Sequence, residues 1–201
     1  MEKKYSAGLV SRRFWQTEFK QYVQLRKLGL SDTDIKQKNE DENIFLAVSN
    51  SRKKEIFLGV KRRVSFLDEE VINLFENLDI DNQRLLNFAT ILITDELIKD
   101  FMIEVYYFKQ KNQDFKLTKI DYRTFFTEKQ RESDEMKRWK EYTLKRLAGV
   151  YHTYLSEAGL IQSETEHDLI TPKFMDSRLN NWLISNGYPE ISRVLGGDFD
   201  N

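Results

Sequence analysis

Thr94-Asp95-Glu96-Leu97-Ile98-Lys99-Asp100-Phe101-Met102-Ile103-Glu104-Val105-Tyr106-Tyr107-Phe108 is the stretch that decides the fold class. Its apolar residues recur with the spacing of one face of an α-helix. The members of this stripe are Leu97, Ile98, Phe101, Met102, Val105 and Phe108. The stretch therefore predicts an amphipathic helix, capped by Thr94, whose apolar face packs into a core.

Similar segments, separated by capping residues, extend from this stretch in both directions. The predicted helices are 12–28, closed by Gly29; a short helix opened by Ser31 with Asp34 three residues on; 51–66; Asp68 to about Leu78; a helix that begins at Asp81; 119–130, capped by Thr118; and a long helix from Ser133 or Asp134 to about Ala158, ended by Gly159. The chain is therefore predicted to be all-α, a compact multi-helix bundle.

The pattern changes after the long helix. Two short apolar pieces, Leu160-Ile161 and Leu169-Ile170, flank a polar segment, which is typical of a small β-hairpin, or wing. A last helix is predicted over about 176–185, and the tail 196–201 is expected to be loosely held.

The length and composition limit the classes of protein to which the chain can belong. With 201 residues, we expect a single helical domain over 1–201, in which 160–201 form a wing-plus-helix appendage and a loose tail. Two prolines and eight glycines are too few for the tight turns of an all-β fold. The absence of cysteine excludes disulfides and thiolate metal sites. There is no secretory signal and no apolar run near the roughly 20 residues of a membrane span, so we expect a cytoplasmic protein with no membrane partner.

The near-neutral total charge of −1 conceals a segregation of charge along the chain. Residues 1–66 carry a net charge of +7, 67–105 of −8, 106–158 of +4 and 159–201 of −4. Such asymmetry could give a basic face that suits a nucleic-acid partner. It could equally reflect ordinary solvated helix faces that neutralise one another after folding.

Basic residues cluster on the predicted 51–66 helix, whose apolar residues Ile56, Phe57, Val60 and Val64 occupy one side. At 100° per residue, Lys54 and Lys61 share one angular position and Arg52 and Arg63 share another. Most of these charges are predicted to point outward along roughly 16 Å, where they would contact DNA phosphates without sequence preference. The predicted nucleic-acid-binding residues are Arg52, Lys53, Lys54, Lys61, Arg62 and Arg63 on this helix, Arg138, Lys145 and Arg146 on the long helix, and Arg12 and Arg13 at the start of the first helix.

Little in the sequence indicates catalysis. The only histidines, His152 and His167, have no partner at a metal-ligand spacing, and no Gly-rich phosphate loop or nucleophile motif occurs. We expect no enzyme activity, no catalytic residue, no metal and no cofactor. The aromatic residues are predicted to pack in the core rather than to stack on bases: Tyr106, Tyr107, Phe108, Phe125, Phe126, Trp139, Tyr142, Tyr151 and Tyr154.

Several blocks, in this order and spacing, resemble the BrxA family, the small protein of BREX phage-defence systems. The resemblance covers roughly residues 5–175. The matching blocks are Tyr5-Ser6-Ala7-Gly8-Leu9; Arg52-Lys53-Lys54-Glu55-Ile56 with Val60 and Arg63; Thr94 to Met102 with Glu104-Val105-Tyr106; Trp139 with Thr143-Leu144-Lys145-Arg146-Leu147; and Glu157-Ala158-Gly159-Leu160-Ile161.

The resemblance implies an all-helical protein similar to NusB-type antitermination factors, cytoplasmic and non-enzymatic, that binds DNA and acts beside other BREX proteins. It extends to the basic positions Arg52, Lys53, Lys54, Arg63, Lys145 and Arg146, whereas Lys61 and Arg62 rest on the helix argument alone. Two alternatives stay open at this point. One is a protein-interaction module of the BREX complex without DNA contact, and the other is an RNA-binding NusB-like factor.

Overall fold

The computed structural model describes residues 4–197 as mostly helical, with one small antiparallel sheet. The α-helices are α1 Gln16–Lys27, α2 Asp32–Glu42, α3 Asn50–Val64, α4 Glu69–Leu74, α5 Ile80–Thr94, α6 Glu96–Phe101, α7 Phe108–Lys111, α8 Lys119–Glu132, α9 Glu141–Glu157, α10 Ser177–Ser185 and α11 Pro189–Val194. Short 3-10 turns occupy Gly8–Ser11, Phe75–Asn77 and Met136–Arg138. The strands are β1 Lys116–Leu117, β2 Ile161–Ser163 and β3 Asp168–Ile170. The predicted all-α class with a small β element is confirmed.

Residues 96–111 form one continuous helix that is not α-helical throughout. Between α6 and α7 the chain adopts a π-helix at Met102–Tyr107. A π-helix has more residues per turn than an α-helix, so the fully buried stripe passes from Met102 to Tyr106 instead of Val105. The prediction that Phe108 packs in the core is wrong for this reason, since its side chain is 60% exposed.

Local capping chemistry sets several helix ends as predicted. Ser31 and Asp34 form a reciprocal capping box at the start of α2, and Thr118 and Asp121 form another at α8. Gly29 follows α1 with φ of 85°, a conformation that glycine adopts without steric cost.

Two predicted helix starts differ by one residue from the structure. Asp95 rather than Thr94 caps α6, because the Thr94 hydroxyl donates to carbonyls of α5. α5 begins at Ile80 rather than at Asp81, and Asp79 caps it by accepting the backbone N–H of Asn82 at 2.7 Å. An aspartate is favourable both as a cap and in the first turn, so the sequence alone does not distinguish these positions.

The predicted long helix begins later than expected. Residues 133–140 contain a 3-10 turn instead of helix, and α9 begins only at Glu141. The Gln130 side chain donates to the carbonyls of Met136 (3.0 Å) and Trp139 (3.2 Å), which holds this connection in a non-helical form. A start at Ser133 or Asp134 is therefore wrong.

The predicted C-terminal hairpin is confirmed, and it belongs to a larger sheet. β2 and β3 pair antiparallel, with Ile161 opposite Ile170. β1, which the sequence does not predict, pairs with the other edge of β3, with Lys116 opposite Leu169. Because β1 lies between α7 and α8, this pairing attaches the hairpin to the helical part of the chain.

The C-terminal helices pack on the middle of the chain. α10 is the helix predicted over about 176–185. It contacts α4, and Trp182 Nε1 donates to Asp68 at 2.9 Å. α11, which was not predicted, contacts α5. Of the predicted tail 196–201, Gly197 donates its backbone N–H to the carbonyl of Ser192 (2.9 Å), and 198–201 lie outside the described residues. The division of 1–201 into one domain with an appendage at 160–201 stays a prediction.

Residues 4–15, here called the N-terminal segment, cross the bundle and join its helices. Phe14 is fully buried between the rings of Phe88 and Tyr154. At the other end of the segment, the hydroxyl of Tyr5 donates to the buried carboxylate of Asp100 at 2.7 Å. The first helix begins at Gln16 rather than at 12, because the backbone before it is held in non-helical conformations by these contacts.

Candidate nucleic-acid interface

α3 has one buried and one solvent face, as the sequence predicts. Ile56, Phe57, Val60 and Val64 are all at most 5% exposed. The solvent face carries the side chains of Lys54, Lys61 and Arg62, with Leu58 between them. Lys54 and Arg62 are eight residues apart, which places them about 12 Å apart along the helix axis.

Arg63 does not point outward with the other basic residues of α3, contrary to the prediction. It is 3% exposed, and its guanidinium donates to the main-chain carbonyls of Phe14 and Arg13 (2.8 Å) and to Asn87 Oδ1 (3.4 Å). On the helical wheel it lies only about 20° from Ile56, so periodicity already placed it on the buried face. Burial lowers the pKa of Arg63 to about 10, which leaves it charged at neutral pH. Arg63 fastens the N-terminal segment to α3 and is not available to a phosphate.

Arg52 and Arg63, which share an angular position on α3, both contact the ring of Trp15. Each guanidinium carbon lies 5.4 Å from the centroid of the Trp15 ring, so the ring is in contact with two cations. Trp15 has φ of 53°, an unfavourable conformation for a bulky residue, and its ring packs against α3 at Gly59, where a Cβ would overlap it. The sequence contains no local signal for this contact, because Trp15 and Gly59 are far apart along the chain.

The remaining cations of α3 differ in whether they have a partner within the protein. Arg52 donates to Glu55 (2.7 Å), and Lys53 donates to the carbonyl of Glu40 (3.1 Å). Lys61 lies 3.2 Å from a carboxylate oxygen of Asp32. Among residues 4–197, Lys54 forms no ion pair or hydrogen bond, so its ammonium is fully available to a ligand.

Arg62 joins α3 to the end of α5. Its guanidinium donates to the carbonyl of Thr94 (3.0 Å), a favourable position for a cation at a helix C-terminus. Burial raises the pKa of Asp95, and the positive charges of Arg62 and Arg12 both act against that rise. Arg13, next in the chain, has an exposed side chain.

The three basic residues predicted on the long helix do not all lie on it. Arg138 is exposed but belongs to the 3-10 turn before α9, so the prediction that it lies on one helix with Lys145 is wrong. Lys145 pairs with Glu141 at 2.9 Å, both side chains being exposed. Arg146 donates to the carbonyl of Val10 (3.1 Å), which brings it beside the N-terminal segment.

The predicted core aromatics are largely confirmed, with a second exception on α9. Tyr106, Phe125, Phe126, Tyr151 and Tyr154 are buried. Tyr142 is 68% exposed because it lies on the solvent side of the first turn of α9, where its ring lies 5.9 Å from the guanidinium carbon of Arg146.

A second buried cation, Lys129 of α8, escaped the sequence analysis. Its ammonium lies 2.6 Å from Glu104 and 3.7 Å from Asp100, below the ring of Tyr5. Burial alone would lower the pKa of Lys129, but these neighbours raise it above its ordinary value. The signal was present, since Lys129 falls on the helical face of Phe125.

A cavity of about 330 Å³ opens beside Arg62 under the N-terminal segment. Tyr5, Asp95, Glu135 and Trp139 contribute to its walls. Its lining contains two cations, Lys4 and Arg62, and three carboxylates, those of Asp95, Glu96 and Glu135, so it has no excess of positive charge. It lies next to the solvent face of α3 but does not add to its positive potential.

The two histidines lie near the sheet. His152 Nε2 is 3.2 Å from Asp168 and 3.3 Å from the hydroxyl of Ser163. A catalytic triad needs the acid on one ring nitrogen and the nucleophile on the other, and here both partners contact the same nitrogen. His167 lies 3.2 Å from Glu164 at the hairpin turn.

Residues 4–197 lack the features of a metal site and of a membrane-spanning helix. Within that part of the chain, no group of three or more His, Cys, Asp or Glu residues is arranged to hold a metal ion. The helices of the same region are all too short or too polar to cross a lipid bilayer.

Comparison with known proteins identifies the family. A family model described as BrxA matches residues 3–187. The BREX protein BrxA of Bacillus cereus (strain H3081.97) is 33% identical over 163 residues, which is 81% of this chain and 82% of that protein. The crystal structure of an uncharacterized protein from Magnetospirillum magneticum has a similar fold, with a TM-score of 0.79 at 16% identity over 96% of this chain and 99% of the other. On the family model and the Bacillus cereus relative, this chain belongs to the BrxA family.

Proposed function

We propose that the chain is a non-enzymatic accessory protein of a BREX phage-defence system that binds duplex DNA through phosphate contacts. The observation that carries this proposal is the solvent face of α3, where Lys54, Lys61 and Arg62 lie on one side of one helix. The 12 Å between the first and last of them corresponds to the rise of about three phosphates along one DNA strand.

The N-terminal segment extends this basic surface. Burial raises the pKa of Asp95, whereas the positive charges of Arg62 and Arg12 both lower it. Arg146 of α9 donates to the carbonyl of Val10 in the same segment. We infer that cations of α3, the N-terminal segment and α9 contribute to one basic surface. Because such side chains contact the backbone and not base edges, we expect affinity with little sequence preference.

The non-enzymatic part of the proposal is supported by the geometry around His152. With Ser163 and Asp168 both on Nε2, the Ser163 hydroxyl does not have a ring nitrogen opposite the aspartate to serve as its general base. We further propose that the protein acts in the cytoplasm, where its DNA and the other BREX proteins would be its partners.

The experiment is a fluorescence-anisotropy titration of the full chain against unrelated 20-base-pair duplexes at several salt concentrations. The variant Lys54→Gln/Lys61→Gln/Arg62→Gln removes three phosphate contacts, so the slope of log K against log salt should become shallower by about 2.7. The matched control is Lys119→Gln/Arg123→Gln/Arg131→Gln, which removes three exposed cations from α8. Equal losses in both variants, or an unchanged slope in the first, would contradict the assignment to α3.

RNA is the competing ligand, because the family resemblance extends to NusB-type factors. A single-stranded RNA and an RNA duplex of the same length serve as competitors in the same titration. Displacement of DNA by duplex DNA at lower concentration than by either RNA supports the proposal. The reverse order would make the protein an RNA-binding factor.

A further inference from the structure

A second surface, at the start of α5, differs from α3 in both charge and hydrophobicity. Phe174, in the connection before α10, is 94% exposed, and Ile80, the first residue of α5, is 67% exposed. Lys173, which precedes Phe174, forms an ion pair at 2.7 Å with Asp81, which follows Ile80. The ion pair brings both apolar residues to the same part of the surface.

The exposure of Phe174 is not that of a loose loop, because the backbone on both sides of it is fastened. The N–H of Asp176 donates to Asn82 Oδ1 at 2.8 Å, and the N–H of Met175 donates to the carbonyl of Gly196. The main chain of Lys173 packs so closely on Gly196 that no Cβ would fit there. The fold therefore holds a large aromatic side chain in solvent on a fixed support.

The charge around these two residues is negative. Glu69 and Glu70 of α4 and Asp79 before α5 are exposed and form no ion pair within residues 4–197. The neighbouring cations are already neutralised, since Lys173 pairs with Asp81 and Arg178 pairs with Asp176. Contact between Trp182 of α10 and Asp68 brings the start of α4 to this side of the molecule. Such a surface repels DNA phosphates and complements a positively charged protein.

We propose that this acidic-apolar patch, defined by Glu69, Glu70, Asp79, Ile80 and Phe174, binds a partner protein through a positively charged segment that has an apolar pocket for the Phe174 ring. An exposed aromatic residue within a charged rim is the usual composition of the energetic centre of a protein interface. The patch is separate from the solvent face of α3, so a partner protein and DNA can bind at the same time.

Site-specific photo-crosslinking tests what covers the patch. The full chain, with p-benzoyl-phenylalanine in place of Phe174, is expressed together with the other proteins of its BREX system and irradiated. The same label at Ile120, which is 73% exposed on α8, is the control. We expect a crosslink from position 174 alone, and mass spectrometry should place it in a peptide of net positive charge.

Substitutions then separate this site from the DNA site. Phe174→Ser should weaken binding of the identified partner by at least about tenfold, and Glu69→Gln/Glu70→Gln should reduce its dependence on salt. Lys54→Gln/Lys61→Gln/Arg62→Gln should leave partner binding intact even though it weakens DNA binding. No crosslink above the control, or a crosslink to DNA, to another copy of this chain or to an acidic peptide, would overturn the proposal. The crosslink to a basic peptide and the effect of Phe174→Ser are expected whether or not the protein binds DNA.

Discussion

Arg63→Met tests how α3 divides its cations between the core and the solvent. The buried guanidinium donates to the carbonyls of Phe14 and Arg13 and to Asn87. Methionine retains the length and apolar contacts of arginine but donates no hydrogen bond. The Arg13 carbonyl then loses the guanidinium, and the Phe14 carbonyl retains only the amide of Asn87 at 3.1 Å.

The expected loss follows from the contacts that disappear. The two hydrogen bonds to the carbonyls of Phe14 and Arg13 contribute about 4 kcal/mol together, and the long one to Asn87, at 3.4 Å, adds little. The cation–π contact with Trp15 contributes about 1 kcal/mol. Removing a charge from the core returns part of its desolvation cost, about 2 kcal/mol. The net decrease in the free energy of unfolding is therefore about 3 kcal/mol. For a chain of this length, the melting temperature should fall by about 6–12 °C.

The matched control is Arg62→Met, one residue along on the solvent face. That variant loses one exposed hydrogen bond, to the carbonyl of Thr94, and should lower the free energy of unfolding by at most about 1 kcal/mol. Urea unfolding followed by circular dichroism measures both variants, and salt-dependent DNA titration at 15 °C measures the other role. We expect Arg63→Met to lower the free energy of unfolding strongly and to leave the salt slope of DNA binding unchanged. We expect Arg62→Met to change stability little and to make that slope shallower. Equal stability of the two variants would refute the structural role of Arg63.

Two further predictions concern the N-terminal segment. Gly59→Ala places a Cβ against the ring of Trp15 and should lower the free energy of unfolding, measured in urea, by about 2 kcal/mol. The control is Gly149→Ala in α9, which has open space around it and should raise that free energy by about 0.5 kcal/mol. Similar effects of the two variants would contradict the packing of Trp15 on α3. Burial, and next the hydrogen bond to Asp100, raise the pKa of Tyr5 to about 12 from an ordinary value of 10.0. Because the folded state holds the proton more tightly, the difference in free energy of unfolding between the wild type and Tyr5→Phe should be constant below pH 10 and decrease between pH 10 and 12. A difference that does not change with pH would disprove this.

The features that the sequence predicts correctly are those decided by neighbouring residues. Ser31 and Asp34 are three residues apart, so their capping box forms whatever the rest of the chain does. The same holds for Thr118 and for the hairpin of β2 and β3. In each of these cases the donor and acceptor are a few residues apart, and short-range patterns contain the needed information.

The features that the sequence does not predict depend on contacts between distant residues. β1 is a strand only because β3 lies beside it, and the N-terminal segment is ordered by partners such as Asp100 and Arg63. Within α3, the chemical identity of a cation says nothing about its role, whereas its angle to Ile56 does. Arg63 lies about 20° from that residue and is buried, but Arg62 lies about 120° away and is exposed. A run of basic residues on an amphipathic helix therefore predicts a ligand-binding surface only when the positions within the apolar face are left out. In this protein, the positions that remain on the solvent face are Lys54, Lys61 and Arg62.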